Sequence, residues 1–288
     1  MEILLLLKDS PPALVAIASV VGLCVGSFLN VVIHRLPRMM EAQWEADCAE
    51  LQGREVPERA PFNLLRPASR CPSCSTPIRA IENVPVVSWL VLRGRCRTCR
   101  TPISARYPLV ELLTGVLSGL LAVRFGASAA LAGALVFAWA LVALSFVDFD
   151  TQLLPDDITL PLVWLGLIVN IGGTFVDLRS AVLGAIGGYL ALWTVYWAFK
   201  ILAKKEGMGY GDFKLLAAIG AWLGWQVLPF VILVAAALGV VFGSLALWLS
   251  RRGADTRLPF GPYLAVGGLA GLVWGREAVI LWVGRFPT

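Results

Sequence analysis

Along the chain, apolar positions gather into eight runs, at about 12–33, 107–123, 129–147, 158–175, 181–199, 214–226, 228–249 and 259–284. Polar residues collect between them, briefly everywhere except in one long stretch at 37–106. A helix rises about 1.5 Å per residue, so roughly 20 apolar residues cross the ~30 Å hydrocarbon layer of a bilayer. The pattern therefore predicts an all-α polytopic membrane protein of about eight transmembrane helices. It divides as a first span at 1–36, a hydrophilic loop module at 37–106 and a seven-span helical core at 107–288. The sixth run is short and interrupted by glycine, and the eighth is broken by Gly267, Gly268 and Gly271.

The first run starts well as a helix, with Ser10 as cap and Pro11 at the first position. It is too long for the apolar part of a signal peptide and leads into Arg35 and Arg38 rather than a small-residue cleavage site, so it reads as a retained span. Gly22, Gly26 and Ser27 allow a second helix to approach closely, and Asn30 can hydrogen-bond across to it. His34, the only histidine, reads as an interfacial residue beside Arg35 in preference to a catalytic base.

The hydrophilic loop holds two distinct patterns. Met40, Trp44, Cys48 and Leu51 recur at helical spacing, with Glu41, Glu45, Asp47, Glu50, Glu55 and Glu58 around them. That is an amphipathic surface helix or, alternatively, an acidic patch for a basic peptide. Further on, Cys71-Pro72-Ser73-Cys74 and Cys96-Arg97-Thr98-Cys99 are separated by 21 residues. Two such knuckles supply four thiolates for a closed tetrahedral zinc site, which would be structural because no position is left open. Two disulfides are the alternative, but an arginine-rich loop points to a reducing compartment.

Charge fixes the orientation. Only 15% of residues are charged against 58% apolar, which excludes an ordinary soluble domain. Of the 24 Lys and Arg residues, 12 lie in 35–106. Alternating the eight spans puts 19 basic residues on one side and 5 on the other, and the richer side is cytoplasmic. Both termini then face outward and the zinc loop faces the cytosol. The net charge of +5 follows from this bias, and no aromatic-interleaved basic patch suggests a nucleic-acid partner.

Two aspartates lie at the mouths of apolar runs: Asp148 in Val147-Asp148-Phe149-Asp150, and Asp212 in Gly207-Met208-Gly209-Tyr210-Gly211-Asp212. Ionisable groups at membrane depth are costly and mark function by default. Under the eight-span topology both fall on the cytoplasmic face, where they can meet. Asp212 also suits a helix N-cap, as Asp156 and Asp157 do, but Asp148 ends a helix where a cation is preferred and has no local structural reason. Asp150 is its rival. A close carboxylate pair shares a proton, one member activating water while the other polarises a peptide carbonyl. Gly207, Gly209 and Gly211 would let the backbone unwind beside a substrate strand.

Several motifs now fall into one order: Gly26-Ser27-Phe28-Leu29-Asn30-Val31, the paired CxxC knuckles, Arg106-Tyr107-Pro108, Asp148-x-Asp150 with Leu154-Pro155-Asp156, and Gly209-Tyr210-Gly211-Asp212-Phe213-Lys214. Glu82-Asn83-Val84-Pro85-Val86-Val87-Ser88-Trp89-Leu90 and Pro259-Phe260-Gly261-Pro262 complete the set. Over nearly the whole chain this resembles the bacterial type IV prepilin peptidase family, intramembrane aspartyl proteases of the G-x-G-D type. Only the acidic stretch at 41–58 looks like a variable insertion.

The resemblance implies an inner-membrane enzyme of two activities. It would cut the short basic leader from prepilins and pseudopilins of type IV pilus and type II secretion systems, after a glycine, on the cytoplasmic side. It would then methylate the new N-terminal amine with S-adenosylmethionine. By the family motif, Asp148 and Asp212 carry proteolysis, and the presence of the cysteines favours the bifunctional form. The methyl-transfer site would lie near residues 82–99. Two rival classes are a proton-coupled transporter, which also uses paired carboxylates, and a membrane-anchored zinc-ribbon scaffold.

Overall fold

A computed structural model describes residues 10–55, 60–204, 208–250 and 259–284. Glu58, Gly207 and the basic residues of 251–257 lie outside the described residues, as do Lys8 and Arg285. The described chain is helical, with two isolated β-bridges, Arg70 to Pro77 and Arg95 to Pro102, in place of any named strand. It divides into two compact units, residues 1–127 and 128–288.

The first unit is built on α1 (Pro11–Leu51), α2 (Val87–Val91) and α3 (Arg106–Phe125). The expected span and the expected amphipathic helix are one continuous helix of 41 residues. Pro37 lies inside it and removes one backbone hydrogen bond. Burial of Ile33, Arg35, Leu36 and Pro37 holds the helix together through that point. The apolar stripe beyond it is not covered, however: Trp44 and Cys48 are exposed and Leu51 is 88% exposed. Helices α1 and α3 meet as the small residues suggest, since a Cβ placed on Gly26 would lie 2.7 Å from the Glu111 Cα. Asn30 Nδ2 donates to the Tyr107 carbonyl at 3.1 Å, the interhelical bond anticipated for it. The buried Arg35 guanidinium donates to the carbonyls of Asn63 (2.9 Å) and Pro67 (2.7 Å), tying the following loop to the helix.

The second unit comprises α4 (Ala129–Thr151), α5 (Asp156–Ile171), α6 (Leu178–Ala203), α7 (Tyr210–Leu223), α8 (Leu228–Ser250) and α9 (Gly261–Val283). A helix thus occupies each of the eight apolar runs. Six of them, α1, α3, α4, α6, α8 and α9, are long and apolar enough to cross a membrane. The other two, α5 with 16 residues and α7 with 14, are shorter.

Helix α7 spans only about 21 Å, yet every residue from Phe213 to Leu223 except Lys214 is buried, so it is the packing centre of its unit. A helix wrapped in protein has its backbone satisfied internally and need not match the bilayer in length. Helix α6 presses against it backbone to backbone: a Cβ on Gly184 would lie 2.2 Å from the Gly220 carbonyl oxygen. On the α5 side, Asn170 Nδ2 donates to the carbonyls of Ala221 (2.9 Å) and Trp222 (3.0 Å), and its Oδ1 accepts from the amides of Phe175 and Val176. The Trp222 indole donates to the Leu162 carbonyl at 2.8 Å. This fixes the height of α7, and with it the position of the residue at its mouth, Asp212.

Candidate functional site

In the second unit a cavity of about 350 Å³ is lined by both Asp148 and Asp212. Each is nearly buried, at 5% and 6% exposure, and their carboxylates interact electrostatically. Asp148 comes from the last turn of α4 and Asp212 from the first turn of α7. Asp150 is exposed and does not line the cavity.

Each carboxylate has a backbone donor. Asp212 is not the N-cap itself: Gly209 caps the helix, and its amide hydrogen-bonds the Asp212 carboxylate in the first turn. Asp148 has a structural partner that the local sequence does not show: its Oδ2 accepts from the Gly261 amide, the first residue of α9, at 2.9 Å. A helix C-terminus disfavours an anion, but here the anion stands at the positive N-terminus of another helix. The partner is 113 residues away, which is why the local sequence gave Asp148 no structural reason.

The two glycines of the G-x-G-D motif differ. Gly209 lines the cavity and is exposed, and a Cβ there would meet nothing closer than 3.9 Å. Gly211 is regular helix within α7, not unwound, and a Cβ on it would lie 2.7 Å from the Leu154 Cβ. At the cavity edge, Lys214 Nζ bonds both oxygens of Asp156 at 2.7 Å, joining the starts of α5 and α7. Tyr196, Tyr210 and Phe260 provide aromatic lining.

In the first unit the Sγ atoms of Cys71, Cys74, Cys96 and Cys99 all lie within 4.8 Å of one another. Cys71 and Cys99 are 3.7 Å apart, and Cys74 and Cys96 are 4.0 Å apart; all four thiols are free of disulfides. A tetrahedron with metal–sulfur bonds of about 2.3 Å has edges of about 3.8 Å, so a donor set of four sulfurs within 4.8 Å of one another suits a zinc ion.

The two knuckles are copies of each other. Arg70-Cys-x-x-Cys-x-Thr-Pro-Ile78 recurs as Arg95-Cys-x-x-Cys-x-Thr-Pro-Ile103, a repeat the sequence displays. Cys71 and Cys96 each donate their amide to the carbonyl of the repeat threonine, at 3.0 and 2.8 Å. Thr76 and Thr101 each place Oγ1 at 3.2 Å from the second cysteine of their knuckle. Hydrogen bonds from the hydroxyl and then the amide of Thr101 hold the Cys99 thiol at about 6, and Thr76 lowers Cys74 in the same manner. Cys99 is thereby poised as a thiolate at neutral pH. Nearby, Glu82 lies below the usual carboxylate range because Arg97 bonds it at 3.0 Å and the Arg79 amide donates to it.

The chain is thus a helical protein with six helices long and apolar enough to cross a membrane and two near-buried aspartates lining one cavity. The comparisons narrow this. Residues 20–125 match the model of the bacterial peptidase A24 N-terminal domain, and residues 135–244 match that of the type IV leader peptidase family. The chain is 54% identical over 272 residues to a prepilin leader peptidase/N-methyltransferase of Stutzerimonas stutzeri, covering 94% of each chain. To the proteins of the same description from Aeromonas hydrophila and Pseudomonas aeruginosa it is 53% and 50% identical, covering 91% and 96% of this chain and 90% and 96% of theirs. No solved structure matches. The chain belongs to the type IV leader peptidase family.

Proposed function

We propose that the protein is a prepilin leader peptidase and N-methyltransferase, in which Asp148 and Asp212 cut the peptide bond. The observation that carries the proteolytic reading is the meeting of these two residues, 64 positions apart in sequence, in one cavity. Two adjacent carboxylates do not both ionise readily, so the pair holds one proton between them. The ionised member takes a proton from the attacking water while the protonated member donates to the scissile carbonyl. The diol that forms collapses as the first carboxyl returns its proton to the leaving amine and the second takes one back from a diol hydroxyl, so the pair ends with the single proton it began with. A transporter would also use paired carboxylates, but family membership favours the peptidase.

The substrates are prepilins and pseudopilins, presented by the bacterial inner membrane with their basic leaders in the cytoplasm. The four thiolates hold a structural zinc ion that braces the loop of the first unit, where a large apolar core is lacking. The methyl donor is S-adenosylmethionine, which supplies an electrophilic methyl group to the new N-terminal amine. The deciding experiment incubates the purified protein with a prepilin and S-adenosylmethionine and measures the product's N-terminal mass. Loss of the leader with one added methyl group is expected. An intact leader with folded enzyme would end this reading.

A further inference from the structure

Leucine 154 touches the supports of both aspartates. A Cβ on Gly211, one residue before Asp212, would fall 2.7 Å from the Leu154 Cβ and 3.3 Å from its Cδ1. A Cβ on Gly261, whose amide holds Asp148, would fall 3.2 Å from the Leu154 Cδ2 and 2.7 Å from the Asp148 Oδ2. One leucine side chain thus lies between the first turn of α7 and the first residue of α9, against the one residue type that lets it sit so close to each. It also lines the cavity itself. Its backbone is anchored in turn: Pro155 follows as the N-cap of α5, and Asp156 is tied to Lys214 of α7.

We propose that Leu154 is a spacer that sets the separation of the two carboxylates, with the Gly261 amide as the fixed peg for Asp148. The inference rests on the peptidase reading. Close packing makes such a spacer effective, because a side chain wedged between two helix starts passes a change of one methylene directly to them. Separation matters chemically because carboxylates drawn closer split their two apparent pKa values further and leave less room between them for the attacking water. Leu154 is a positioning residue, acting through the pair and not on the scissile bond.

The test compares prepilin cleavage by wild type, Leu154→Ala and Leu154→Met, with Gly261→Ala as the complementary variant. Leu154→Ala is expected to lower kcat at least tenfold with KM within twofold. Its pH–rate profile is expected to broaden, because the two apparent pKa values of the pair draw apart as the carboxylates close up. Leu154→Met, which conserves volume, is expected to restore both kcat and profile width. The other titratable groups lining the cavity, Asp156, Lys214, Tyr196 and Tyr210, are the same in every variant, so they do not account for a change in width. Gly261→Ala is expected to lower kcat with KM unchanged, because the added methyl group crowds the Asp148 carboxylate.

Four outcomes would overturn the spacer: wild-type kcat in Leu154→Ala, an unchanged profile width, failure of Leu154→Met to rescue, or a loss of activity that tracks the unfolding midpoint. If wild type itself leaves the leader intact, the peptidase reading fails instead. The two failures are therefore separable.

Discussion

The cysteine module and the aspartate cavity are assembled by opposite means. The module brings its four sulfurs together with two copies of one nine-residue motif, each folded by its own short-range bonds. The cavity has no local code. Asp148 and Asp212 meet because α7 is gripped along its length by α5 and α6, and because the start of α9 comes back to Asp148. Chemistry written locally survives the loss of distant packing, whereas chemistry written in tertiary contacts is sensitive to residues far from it in sequence.

The largest expected effect tests the cavity. Asp148→Asn and Asp212→Asn should each reduce prepilin cleavage by about a thousandfold or more while leaving zinc content unchanged. Asp150→Asn, altering an exposed side chain, should stay within about twofold of wild type. A dead Asp150→Asn alongside an active Asp148→Asn would reverse the assignment. Next, Cys71→Ser should weaken zinc binding by more than the roughly 10–100-fold that a supporting residue is worth, and should speed proteolysis of the loop. Full zinc retention by that variant would rule out four-thiolate binding.

Thr76→Val and Thr101→Val sharpen the contrast, since the two knuckles make matching bonds. Each should lower zinc affinity by on the order of tenfold, to the same extent, as read by competition with a chelator. Strongly unequal losses would show that the repeat is a likeness of sequence without equivalence of role. Smallest of all, Lys214→Gln should change the thermal midpoint only slightly. The partner carboxylate of Asp156 is 53% exposed, and an ion pair open to water is worth about 1 kcal/mol or less. A large loss of cleavage with unchanged stability would instead put Lys214 in contact with substrate.

How far the sequence could be read follows the same division. Apolar run length marked every helix of the second unit, and the interhelical bond of Asn30 was visible from its place among small residues. The knuckle spacing pointed to the sulfur cluster, though the threonine–proline extension of the repeat went unread. The continuity of α1 through Pro37 was not legible, because propensity marks the proline as a break and only burial of its neighbours overrides it. Gly211 was read as a flexible point beside the substrate, whereas it is helical and makes room for Leu154. The Gly261 amide was out of reach altogether, since no local pattern announces a backbone donor 113 residues on.

The 41-residue first helix has a mechanical consequence. At about 1.5 Å per residue it measures about 61 Å, twice the hydrocarbon thickness of a bilayer. Its second half is therefore a mast carried by the embedded half, jointed where Pro37 removes a backbone hydrogen bond. A change in bilayer thickness that tilts the buried part swings the mast's tip through a comparable arc. The start of the cysteine-bearing loop is thus set at a height, and with a lean, that the lipid composition of the membrane can tune.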